Sequence, residues 1–382
     1  MERIQAINPD RILWCCADRG ITPEAMAADL GLAAATLERA LSGGEGLTLA
    51  QLRKVAEYFG RGLLFFLDPA PVQAEQVHTT VFRTLANQKP DLSAALKTLI
   101  ERSERQRDIY LSLREDLGAE DFPAFDPPAL DRRQPAAAAA AARHWLGLGE
   151  RNDFDSYRQA IEARGVLVFR SNGYAGRWQI PKDSPILGFC LYHRECPVIV
   201  VKKQAAEAQQ VFTLMHELGH LLLRQTSSID DEHDLHAAHG DEREANAFAG
   251  HLLVPDAFLN GIDTAGRPAA VEEFDRWLEP QRRAWGASGE VILRRLLDAG
   301  RLSAEDSRAY RDWKAGQTFA EDGGGNRAWR HREPRHIFGD RFVRSVLDAL
   351  AARQISLAKA SSYLDGLKIA DLHKLERHCA GA

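Results

Sequence analysis

His216 and His220 stand four residues apart, with Glu217 beside the first, inside an otherwise apolar run from Phe212 to Leu223. Side chains at i and i+4 share one face of a helix, so both imidazoles can close on one Zn2+ while Glu217 reaches water held there. This geometry requires a helix, which makes Ala205 to Gln225 the most constrained segment of the chain. Val211, Leu214, Met215, Leu218, Leu221 and Leu222 give it a broad apolar stripe, as expected of a helix seated in a core and able to hold ligands rigidly. Gly219 costs helix propensity relative to alanine, and its place between Glu217 and His220 suggests close approach by a metal, a substrate or a neighbouring backbone. Upstream, Gly165 to Phe169, Leu187 to Tyr192 and Pro197 to Val201 read as short strands. A sheet edge beside such a helix can hold an extended peptide by strand addition.

A catalytic zinc needs a third protein ligand and keeps its fourth position open for water. The run from Asp241 to Pro255 begins acidic and turns apolar, as a second helix would. Glu242 is the preferred third ligand, because Ala245, Phe248, Ala249 and Leu252 then bury the flank beside it. Glu244 is the rival, about 200° round the helix, so only one of the two can face the metal. Asn246, one turn after Glu242, is placed to hydrogen-bond a ligating residue.

The two motifs together, His-Glu-Leu-Gly-His and Glu-x-x-Ala-Asn-x-Phe-Ala-x-x-Leu-Leu-x-Pro, resemble the ImmA/IrrE metallo-endopeptidases. These are bacterial and phage-encoded proteins that cleave or inactivate a cognate repressor. Ile7-Asn8-Pro9, the run to Leu41, and Leu49-Ala50-Gln51-Leu52 through Pro69 look like members fused to an XRE-type helix-turn-helix domain. The segments around Val291 to Leu296 and Phe338 to Leu364 fit the long fused subgroup less specifically. The resemblance implies that His216, His220 and Glu242 are the zinc ligands and that Glu217 is the catalytic base. His251 departs from the acidic residue often found at its position, and its role stays open.

A chain of 382 residues exceeds what one hydrophobic core usually serves, so two or three domains are the default. The sequence has neither a stretch long enough to span a membrane nor the apolar start of a signal peptide, which predicts a cytoplasmic protein with no membrane partner. Five cysteines without zinc-knuckle spacing fit reduced thiols. A net charge of −5 gives no general attraction for nucleic acid, so any DNA contact must come from a local patch.

Residues 1–70 read as a five-helix module, with Thr22 as N-cap, Pro23 at the first helical position and Ala33 to Leu41 where a recognition helix would lie. Within that helix only Thr36 and Arg39 could read a base edge or phosphate. Seven Arg or Lys against nine Asp or Glu give the module poor footing on phosphate, so DNA binding and a degenerate protein-docking or dimerising fold both stay open.

Leu92 to Asp116 has helical spacing, and Asp121 to Pro128 breaks it with a proline-rich linker. The alanine run after Pro135 is a strong helix former. Ser227 to Gly240, which holds His233, His236 and His239, reads as a solvated polar loop between the two metal motifs, although its histidines could also bind a metal. Tyr174, Tyr192 and His193 are candidates for polarising a carbonyl, with no basis for choosing among them. The C-terminal third is helical in pattern. Between Asn326 and Arg344 six arginines, including Arg327, Arg330, Arg332 and Arg335, face only Glu333 and Asp340, with Trp329 and Phe338 interleaved. Such a mixture suits a nucleic-acid or partner surface, or a solvated basic loop.

The expected architecture is mainly α with a small β-sheet (α+β): a helix-turn-helix domain at 1–70, a helical bridge and linker at 71–134, a zincin-like peptidase domain at 135–262 and a C-terminal helical domain at 263–382. The expected function is a Zn2+-dependent endopeptidase acting on a repressor or antitoxin-like protein encoded nearby. DNA and a second copy of the chain are the other candidate partners. The alternative is a DNA-binding transcriptional regulator or toxin-antitoxin component whose metal fold serves docking or sensing.

Overall fold

The structure is a computed structural model that describes residues 3–4, 6–43, 46–73, 79, 82, 85, 88–89, 92–118, 122–172, 177–234, 240–317 and 327–380. The chain divides into two compact units, residues 1–102 and 103–382. It is mainly helical with one small sheet, and no described helix is long and apolar enough to cross a membrane.

The first unit contains α1 (Pro9–Arg19), α2 (Pro23–Leu30), α3 (Ala34–Leu41) and α4 (Leu49–Phe59), followed by a 3-10 turn, Leu63–Phe66. Where five helices were expected, the short apolar run at Leu63 thus makes one tight turn. Local capping sets the breaks. Thr22 accepts a hydrogen bond from the Ala25 N–H with Pro23 behind it, and Gly31 ends α2 in the left-handed region. Ile12, Met26, Leu37, Leu52, Val55 and Phe66 form the core. Thr36 is buried against that core, which removes one of the two side chains expected to read a base, while Arg39 folds back so that its Nε donates to the Ala35 carbonyl.

The helix α5 (Ala94–Leu117) contains the boundary between the units. In the second unit, α6 (Pro135–Leu146) and α7 (Phe154–Glu162) precede strands β1 (Leu167–Arg170), β2 (Ile186–Leu191) and β3 (Val198–Val201). The metal-motif helix α8 (Glu207–Arg224), strand β4 (Ser228–Asp231) and α9 (Gly240–Leu253) follow. The sheet order is β1-β3-β2-β4, with β1 and β3 parallel and the other two pairings antiparallel. Every residue of β1, β2 and β3 is buried, which explains why these strands read as unbroken apolar runs rather than alternating ones. The helix α8 packs on β2 and β3, and the C-terminal helix Glu333–Ala351 packs on β1.

One apolar cluster runs from Ala138 through α8 and α9 to Leu296 and Tyr310. Helices on both sides of residue 262 therefore share a core. A Cβ on Gly219 would meet the Phe248 ring at 3.1 Å and Ala245 Cα at 3.4 Å. Of the close approaches expected at Gly219, the structure has the neighbouring backbone, that of α9. Phe338, expected among arginines on a binding surface, is instead buried edge-on against Phe169 and Trp178. An apolar ring facing a sheet gains more by burial than by waiting in solvent for a base.

His336 gives this packing a pH dependence. Burial, with Arg170, Arg158 and Lys203 nearby, pushes its imidazole down to about 3. The unfolded chain takes up this proton below about pH 6.5 while the folded one refuses it, so stability is lost as pH falls from about 6.5 towards 3. Urea unfolding at pH 6.5 and pH 5 should differ by about 2 kcal/mol from this group, and His336→Gln should remove that part of the difference.

Candidate metal centre

The apolar stripe of α8 seats its middle turns so deeply that His216 and Glu217 are 0% exposed and His220 3%. The sequence-predicted ligands come together. His216 Nε2 lies 3.1 Å from His220 Nε2 and 3.1 Å from Glu242 Oε2, and His220 Nε2 lies 3.3 Å from the same oxygen. Glu242 rides in the first turn of α9. Glu244 points elsewhere, to Arg224 at 2.5 Å, as the angular separation of the two positions requires.

A fourth donor joins them. Asp230 Oδ2 approaches His216 Nε2 at 3.3 Å and His220 Nε2 at 3.4 Å. The four residues His216, His220, Asp230 and Glu242 offer donor atoms that all lie within 4.8 Å of one another. Sequence reasoning misses Asp230, because Ser227 to Gly240 reads as a solvated loop. The structure instead makes Ser228–Asp231 an edge strand, with Gly188 of β2 opposite Asp230. The one local signal is Ile229 set between small polar residues, too short a pattern to name a strand.

The charges at the centre are strongly coupled. Burial disfavours an imidazolium at His220, but the carboxylates of Asp230 and Glu242 outweigh it and raise its pKa to about 10; His216 is raised for the same reason. Burial likewise opposes ionisation of Asp230 and Glu242, yet the two histidines hold both carboxyls below their usual range, Asp230 well below. Burial lifts Glu217 well above its ordinary value, and the Asp230 charge adds to that.

Glu217 lies under Gly188, where a Cβ would come within 2.9 Å of its Oε1. Both Glu217 oxygens, Asp230 Oδ2 and His216 Nδ1 are buried without a hydrogen-bond partner. Unpaired polar atoms around converging nitrogens and carboxylates fit a divalent cation, which would satisfy the oxygens and lie between the imidazoles.

Among the described residues, the other sequence candidates make contacts of their own. Asn246 donates from Nδ2 to the Asp234 carbonyl, so its amide ties down the chain after β4, where a bond to a ligating residue had been expected. His251 is 4.0 Å from Asp256. Tyr192 gives its hydroxyl to Gln225, and His193 Nδ1 accepts from the backbone N–H groups of Glu195 and Cys196. His233 is exposed, whereas His236, His239 and Tyr174 lie outside the described residues. Arg335 pairs with Asp340, Arg330 and Arg332 are exposed, and the Arg327 side chain lies outside the described residues.

Residues 162–297 match the family model of the IrrE N-terminal-like domain, Peptidase_M78. The matched stretch contains the sheet and all four metal-centre residues. The match supports the ImmA/IrrE resemblance and a metallopeptidase-type domain. The chain is also similar to the "uncharacterized immunity region protein 2" of Bacillus phage phi105, with 37% identity over 73 residues. This similarity spans 19% of the chain and 46% of that relative's length.

Proposed function

We propose that the chain is a zinc-dependent endopeptidase that cleaves a cognate repressor or antitoxin-like protein encoded near its own gene. The observation that carries this reading is the convergence of His216, His220 and Glu242 with Glu217 adjoining them on α8. Zinc held there would act as a Lewis acid, lowering the pKa of its water towards about 7 and polarising a peptide carbonyl. Glu217 takes the proton from the attacking water and returns it to the leaving amine, a role suited to a carboxylate that burial makes more basic than usual. The residues matched to the family support the hydrolytic part. The immunity region named for the phage relative favours a regulatory protein as substrate. The four-part division, with 135–262 as catalytic domain and 1–70 as a DNA- or protein-docking module, belongs to the same proposal, with Arg39, Arg327, Arg330, Arg332 and Arg335 as contact candidates and Asn246 supporting the ligand set only indirectly, through its bond to the Asp234 carbonyl.

A second reading makes the chain a regulator or toxin-antitoxin component that uses the metal fold for docking or sensing. The burial of Glu217 favours it, since a base at 0% exposure meets no substrate in this conformation. Incubating the zinc-loaded protein with the repressor-like product of the neighbouring gene, with and without DNA, separates the two. A discrete cleavage fragment is expected for the peptidase. A stable uncut complex would support the second reading.

A further inference from the structure

A catalytic metal keeps one corner for solvent, and here a fourth side chain, Asp230, joins the three expected donors. We propose that Asp230 is a fourth ligand to the metal and that β4 is an internal occupant of the substrate edge, so that the protein as folded holds its centre closed. The inference rests on the metal-centre reading above and deepens it.

Two independent features carry it. The first is metric. With zinc-ligand bonds of about 2.0–2.1 Å, donors at the corners of a tetrahedron are about 3.3 Å apart. Five of the six donor separations among His216, His220, Asp230 and Glu242 fall between 3.1 and 3.4 Å, and the sixth, Asp230 to Glu242, is within 4.8 Å. Four protein donors at that spacing complete the coordination of a closed site and leave no place for water. The Asp230 carboxylate is oriented accordingly. Its Oδ1 accepts from the Ser228 hydroxyl at 3.0 Å, while Oδ2, without a hydrogen bond of its own, turns to the imidazole nitrogens.

The second feature is topological. β4 pairs antiparallel with β2 through Ser228, Ile229 and Asp230, covering an edge beside α8 where an extended peptide would add as a strand. One short segment therefore fills both places a substrate complex needs, the strand position and the solvent corner. Asp230 and Glu217 are 1% and 0% exposed. Opening the site requires exchange of one carboxylate for water and release of one four-residue strand, with no covalent bond made or broken.

The test uses the full-length protein loaded with Co2+, whose visible spectrum reports coordination, and azide as a small exogenous ligand. Wild type should take up Co2+ and show no spectral change with azide. Asp230→Ala should still take up Co2+, at least about tenfold more weakly, and its spectrum should change on adding azide. Asp230→Asn, which keeps the shape and the Ser228 contact, should respond as Asp230→Ala does and covers the case in which the alanine variant misfolds. An azide response in wild type as large as in the variants would overturn the proposal while leaving the metal centre intact. Failure of wild type to take up Co2+ at all would overturn the metal reading itself.

Discussion

Glu217→Gln should bind zinc as tightly as the wild type and cleave its protein substrate about 10²–10⁴ times more slowly. Glutamine fills the same space under Gly188 but cannot accept the proton. The same substitution has a second expected effect, on stability. Glu217 is buried with both oxygens unpaired, and its pKa is driven well above normal, so the folded protein carries a carboxylate in surroundings that oppose its charge. Removing that charge should raise the melting temperature of the metal-free protein, the usual trade between a strained functional group and stability. Elemental analysis, a gel-based cleavage assay and thermal melts measure the three quantities. Cleavage at the wild-type rate by zinc-loaded Glu217→Gln would remove Glu217 from the proposed role.

The second large effect is structural and lies at Arg158 in α7. Its guanidinium is buried, donates to the carbonyls of Val168, Arg335, His336 and Ile337, and pairs with Glu162 at 3.2 Å. One side chain thus ties α7 to β1 and to the start of the helix Glu333–Ala351. Arg158→Ala leaves these carbonyls without that donor and strands the buried Glu162 carboxylate. A loss of about 3–5 kcal/mol is expected in urea unfolding of the second unit. Lysine should recover little, because an ammonium cannot reproduce the forked set of donors. A change below about 1 kcal/mol would mean that water replaces the lost bonds without cost.

Arg158 also shows where reading the sequence reaches its limit. Its neighbourhood is built from residues almost 180 positions away, and nothing local to Asp155 or Gln159 marks it as a junction. The metal helix is the opposite case. His216, Glu217 and His220 lie within one and a half turns, and helix periodicity alone puts the two histidines on one face. Strands β1, β2 and β3 were legible for a similar reason, since burial on both faces leaves continuous apolar runs.

The site's second half was only partly legible. A choice between Glu242 and Glu244 could be posed, because helix geometry excludes having both at the metal, and the packing of α9 on α8 turns Glu242 inward while Arg224 takes Glu244. Asp230 reads as part of a loop, because four residues with one apolar side chain carry no usable period. Its position follows from pairing with β2, an interaction across more than 40 residues of chain. Phe338 and Thr36 failed as surface candidates for a related reason. Composition suggested exposure, and packing against Phe169 in one unit and the helical core in the other buried them.

Local sequence signals were enough to mark the helix that carries two imidazoles and a carboxylate, the apolar strands beneath it and the acidic start of the helix that supplies Glu242. These follow from periodicities of 3.6 and 2 residues and from caps, interactions that reach only a few positions along the chain. Long-range packing alone brings Asp230 to the two histidines, ties Asn246 to the chain after β4 and seals Glu217 from solvent. Those outcomes depend on which distant segments share a volume, and packing energy accumulates over the whole unit before any one contact is fixed.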